Sequence, residues 1–146
     1  MSRTVYQAFR RTQPAGFWRG LFADLVRLRL VSRYCHGGIV IGGTLYHATF
    51  SGGLHSEPFV PDGWELFPTT ADEADVLARF RDRQGARYDA ISLLAFLLPW
   101  RVRDRFRLYC FEWQWLGETG VSPVDRVTPE DLLALIATQN KKEPWP

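Results

Sequence analysis

A glycine pair constrains this chain more than any other feature. Gly42-Gly43 separates two runs of strand-forming residues, His36-Gly-Gly-Ile-Val-Ile41 and Thr44-Leu-Tyr-His-Ala-Thr49. Two consecutive residues free to take positive φ are what a two-residue primed turn requires, so the segment reads as a β-hairpin with a fixed register. Ile41 then faces Thr44, and His36 lies opposite Thr49. Because strand side chains alternate, His36 and His47 share one face of the hairpin as diagonal neighbours, with roughly 7 Å between their Cβ atoms.

The surrounding sequence supplies more strands and then helices. Residues 4–9 mix β-branched and aromatic side chains and read as a strand, and further strands are expected over residues 54–60 and 64–67, set off by Pro58, Pro61-Asp62-Gly63 and Pro68. Apolar residues at helical spacing predict an amphipathic helix over residues 17–30. A second helix is expected over residues 70–84, with Thr70 in the N-cap role, Asp72 and Glu73 in its first turn and Gly85 as its stop. A third covers residues 89–98 up to Pro99, a short aromatic one covers residues 110–116 and ends at Gly117, and a last one opens at Thr128-Pro129-Glu130-Asp131 and runs to about Thr138. Residues 139–146 are expected to form a loose tail. This order predicts an α+β domain, a central antiparallel sheet with helices packed against it.

The length of 146 residues suits one domain spanning positions 1–146, and 46% apolar content with six Trp, five Tyr and ten Phe supports a packed core without disulfide or metal. Long apolar runs are lacking, so no transmembrane segment is expected. The N-terminal residues lack an apolar signal-peptide core, which predicts a protein cytoplasmic at synthesis that reaches any external target in a phage particle or through a secretion machine. Eight arginines fall between positions 79 and 107, yet 16 acidic residues nearly cancel the 18 basic ones. Solvated helix faces explain this pattern, and nucleic acid is not the expected partner. No glycine string forms a phosphate-binding fingerprint, so no nucleotide cofactor is expected.

Three histidines and two cysteines carry the chemistry. The diagonal pair His36 and His47 fits one imidazole acting as a base and the other orienting it. It also fits two metal ligands, with His55 as a third from another strand, but compact Cys/His ligand spacing is lacking and no metal is expected. Cys110 opens its helix, where unpaired amides and the helix dipole stabilise an anion, and is the candidate nucleophile with a lowered pKa. Cys35 reads as a buried hydrophobe directed away from the face of His36. His55 and Glu57 read as surface residues of a strand at the rim.

The string Tyr34-Cys35-His36-Gly37-Gly38-Ile39-Val40-Ile41-Gly42-Gly43-Thr44-Leu45-Tyr46-His47-Ala48 resembles the histidine hairpin of the NlpC cysteine peptidase superfamily, of papain-like fold. Gly85-Ala86-Arg87-Tyr88 is similar to the family's Gly-x-x-Tyr string, and Cys110 at the head of a helix completes the set. The order His, His, Cys resembles the circularly permuted branch that includes the lecithin retinol acyltransferase-like proteins. Tyr109-Cys110-Phe111-Glu112 departs from the usual Asp-Cys-Ser-Gly and places bulkier groups beside the thiol.

The resemblance implies a cysteine hydrolase acting on amide or ester bonds through a thioester. In it Cys110 is the nucleophile, His36 the base, His47 its orienting partner and Tyr88 an oxyanion donor. It implies cell-wall peptide amides as substrates in the hydrolase branch and acyl groups in the transferase branch. A non-catalytic binding module on the same scaffold is the alternative, and a buried Cys110 thiol favours it.

Overall fold

The computed structural model describes residues 2–11, 33–49, 51–88, 107–108, 110–123 and 127–140, with Tyr88, Arg107 and Leu108 described by their backbone. The expected helices over residues 17–30 and 89–98 and the tail beyond residue 140 lie outside them.

The strands are β1 (Val5–Arg10), β2 (His36–Ile41), β3 (Thr44–Thr49), β4 (Gly53–Pro58) and β5 (Trp64–Pro68). They form one antiparallel sheet in the order β4-β3-β2-β1-β5. The hairpin has the expected register, with Ile41 opposite Thr44 and Ile39 opposite Tyr46. Gly42 and Gly43 take φ of 56° and 82°, the left-handed conformation the turn demands.

Three helices are described: α1 (Glu73–Arg83), α2 (Cys110–Thr119) and α3 (Pro129–Asn140). The short strands β6 (Arg87–Tyr88) and β7 (Arg107–Leu108) pair in parallel. The fold is therefore α+β. Asp72, not Thr70, caps α1, its carboxylate accepting from the backbone N–H of Ala74 at 2.8 Å and of Asp75 at 3.2 Å. At α3, the Thr128 hydroxyl accepts from the Asp131 N–H at 3.2 Å, and the Asp131 carboxylate accepts from the Thr128 N–H at 2.8 Å, a reciprocal cap. This helix continues to Asn140, so positions 139 and 140 are helical instead of loose.

Gly117 does not end its helix. It lies inside α2, where an added methyl would overlap the Ile39 side chain, so its role is to let helix and sheet approach closely. The stop is Gly120, with φ of 73°.

All three helices lie on one face of the sheet. Val5, Ile39, Ile41, Ala48 and Leu54 pack against Val76 and Phe80 of α1 and against Trp113 and Leu116 of α2. Phe9 and Tyr34 pack against Cys110 and Phe111 of α2 and against Leu132 and Ile136 of α3. Each large apolar side chain buried this way contributes about 1.5–3 kcal/mol. The other face carries Ala8, Val40 and Leu45 with Tyr6, Phe59 and Trp64 packed beside them. Among the described residues no helix is long and apolar enough to cross a membrane.

Candidate active site at the start of the second strand

His36 opens β2 and projects onto the face that carries Val40 and Leu45, because alternation sends Gly37 to the helix side. An added methyl at Gly37 would meet the side chains of Gln114 and Phe111 from α2. His36 Nε2 lies 2.9 Å from His47 Nδ1, a hydrogen bond that the diagonal register makes possible. The His36 ring also lies 5.7 Å from that of Trp64, between centroids.

The ladder extends beyond this pair. His47 stands directly opposite His55 on β4, with ring centroids 4.7 Å apart, and His47 Nε2 lies 3.2 Å from Glu57 Oε1. Sequence reasoning placed His55 and Glu57 at the rim but missed that Glu57 meets His47. The signal was present: residues 55 and 57 are two apart on one strand, and so share the face of His47.

Both histidines of the pair are held neutral. Burial pushes His36 down to about 3, helped by the positive charge His47, Arg10 and His55 would add. Burial, then His55, pushes His47 down to about 4.

Cys110 begins α2, as expected, but it is only 3% exposed, in a cluster with Phe9, Tyr34 and Phe111. Burial pushes its thiol up to about 12, against the pull of hydrogen bonds from the backbone N–H groups of Gly37, Phe111 and Cys110 itself. The expectation of a thiol acidified by the helix terminus is therefore corrected: the amides are in place, but desolvation of the thiolate outweighs them. The sulfur reaches β2 at the amide of the residue after His36, from the helix side of the sheet. Among the described residues no hydrogen bond joins it to His36 or His47. Cys35 is also buried, its thiol donates to the Arg10 carbonyl at 3.4 Å, and neither cysteine is in a disulfide.

Tyr88 is placed by its backbone on β6. That segment docks on β4, where the Leu54 N–H donates to the Ala86 carbonyl at 2.8 Å and the Gly85 N–H to the Leu54 carbonyl at 3.0 Å.

A polar network that the sequence reading did not anticipate fixes α2 on the sheet. Gln114 Nε2 donates to the Ala8 carbonyl at 3.0 Å and to the Gly38 carbonyl at 2.9 Å, and Gln7 Nε2 donates to Glu118 Oε2 at 2.9 Å. Gln114 lies one helical turn beyond Cys110, so these bonds set the height at which the sulfur meets β2. Compared with protein-family models and with curated proteins, the chain matches none.

Proposed function

We propose that the protein is a cysteine-dependent hydrolase of amide or ester bonds, built as a circularly permuted NlpC-type domain of papain-like fold. The observation that carries this reading is the His36–His47 hydrogen bond, made through His36 Nε2 at 2.9 Å. It leaves His36 Nδ1 unengaged by His47, next in sequence to the strand amide that the Cys110 sulfur touches.

This reading sets where the protons lie. For His36 to accept at Nδ1, its own proton sits on Nε2 and is donated to His47 Nδ1, and the His47 proton then sits on Nε2, facing Glu57 at 3.2 Å. With the thiol near 12 and the imidazole near 3, the resting pair is a neutral thiol and a neutral base. Proton transfer therefore accompanies attack on the substrate carbonyl. The Cys110 sulfur bonds to the carbonyl carbon. Its proton passes to His36 around the start of β2 by way of a water or the substrate, because the two groups share no direct hydrogen bond among the described residues and lie on opposite faces of the sheet. From His36 it passes to the leaving group, and water releases the acyl group from the thioester. The Cys110 amide and Tyr88 are the proposed oxyanion donors, each commonly worth ~10²–10³ in rate. Peptide amides are the first substrate class, and an alcohol or amine acceptor in place of water makes the same chemistry an acyl transfer.

The burial of the thiol favours a second reading, a binding module on this scaffold in which Cys110 is only a core residue. The two separate by mass spectrometry after exposure to activated acyl esters and cell-wall peptides. A thioester on Cys110 that turns over, and that is absent in His36→Ala, supports the hydrolase. Product formation equal in Cys110→Ala and native protein, or no adduct and no product, leaves the binding module.

A further inference from the structure

His47 Nε2 is a buried nitrogen without a hydrogen-bond partner on a residue 5% exposed. The atom nearest to completing it is the Glu57 carboxylate oxygen at 3.2 Å, and a ring nitrogen of His55 joins the group, with one ligand atom from each of the three residues lying within 4.8 Å of the others. We propose that His47, His55 and Glu57 form a binding site for a divalent cation of the zinc class.

The donor set has the right chemistry: two imidazoles and one carboxylate suit Zn²⁺, which binds them at about 2.0–2.2 Å and takes water in a remaining position. Ligand atoms on a tetrahedral ion then stand roughly 3.4 Å apart, and the His47–Glu57 pair is already at that separation. The surroundings fix the ligand nitrogens. His55 Nδ1 donates to the Gly53 carbonyl at 3.0 Å, which leaves Nε2 with its lone pair for the ion. His47 Nδ1 is engaged by His36, which likewise leaves Nε2. Outer hydrogen bonds of this kind orient metal-bound imidazoles and raise their basicity. The missing side chain at Gly52 leaves the space the His55 ring occupies, since a Cβ there would stand 2.9 Å from two of its atoms. All three ligands sit on neighbouring strands in strict register, His47 opposite His55 and Glu57 two residues on.

An ion on His47 Nε2 leaves the His47 proton on Nδ1, donated to His36 Nε2, and His36 then carries its proton on Nδ1. A base that accepts at Nδ1 is thereby switched off. This consequence, that the ion inhibits, rests on the hydrolase reading; the site itself does not.

The test is competition for Zn²⁺ against a chromophoric chelator, on the full chain. One equivalent is expected to bind, with affinity weakened at least ~10-fold in His55→Ala and in Glu57→Gln, both partly exposed positions that leave the core intact. The protein with Cys35→Ser and Cys110→Ser is expected to bind as the native one does, and its Co²⁺ form to lack thiolate-to-metal charge-transfer absorption. No binding by native protein, undiminished binding in both ligand variants, or loss of binding in the cysteine variant overturns the site. In a hydrolysis assay Zn²⁺ is expected to inhibit the native enzyme but not His55→Ala. Inhibition equal in both overturns the inhibitory role, and a protein that binds zinc but hydrolyses nothing removes the hydrolase reading while the site stands.

Discussion

His47 is used at both ends of its ring, toward His36 through Nδ1 and toward Glu57 through Nε2, so its substitution has two separable effects. In the proposed mechanism His36→Ala removes the base and is expected to lower turnover by ~10²–10⁴. His47→Ala leaves the base in place but unoriented, and a smaller fall in kcat with KM little changed is expected; steady-state kinetics on the substrate found in the acylation experiment reads both. The thiol makes a sharper prediction. A pKa near 12 leaves Cys110 protonated at neutral pH, so iodoacetamide should modify it at least ~10²-fold more slowly at pH 8 than an ordinary thiol of pKa about 8.5, with the rate still rising above pH 9. Peptide mass spectrometry resolves Cys110 from Cys35, and rapid alkylation near pH 6 would show a preformed thiolate–imidazolium pair instead. The positions of Cys110, His36 and His47 on their elements were legible in the sequence, because a register and a helix start are local. The state of the thiol was not, since it depends on Phe9 and Tyr34, from distant parts of the chain, closing over it beside its neighbour Phe111.

At the scale of elements the same division holds. The hairpin and its turn follow from Gly42-Gly43, and α3 follows from Thr128 to Asp131, where cap and first turn are contiguous. The bounds of α1 and α2 were harder to read, because Thr70 and Asp72 both suit an N-cap and Gly117 resembles a stop. Asp72 wins by reaching two amides of its own helix, those of Ala74 and Asp75. Asp72→Ala is therefore expected to cost about 1 kcal/mol, against less than about 0.5 kcal/mol for Thr70→Ala, read from urea midpoints at constant m. Gly117 is decided by Ile39, a residue no local pattern connects to it. The anchoring of α2 by Gln114 was invisible for the same reason: a glutamine among aromatic residues carries no sign that its partners are the carbonyls of Ala8 and Gly38.

For the whole molecule, two histidines held neutral make folding depend on pH. His36 and His47 have folded pKa values near 3 and 4, below the ordinary 6.5, so the unfolded chain binds more protons in that interval and stability rises with pH. Stability is complete above about pH 6.5 and is lost as pH falls toward the folded values, at most about 1.4 kcal/mol per pH unit for each proton taken up. Denaturation at pH 7 and pH 5 should show the loss, and a double variant, His36→Gln with His47→Gln, should flatten it; an unchanged slope would place the dependence elsewhere. The sheet has its own arrangement of parts, with imidazoles on one face, sulfur on the other and β2 between them. The histidine strands are neighbours in sequence and close into a hairpin through short-range contacts, whereas the thiol belongs to a much later stretch of chain. On a ribosome, where the N-terminal part emerges first, the strands that carry His36 and His47 are made before the segment that carries Cys110, and the two parts of the proposed site meet only once that later helix docks on β2.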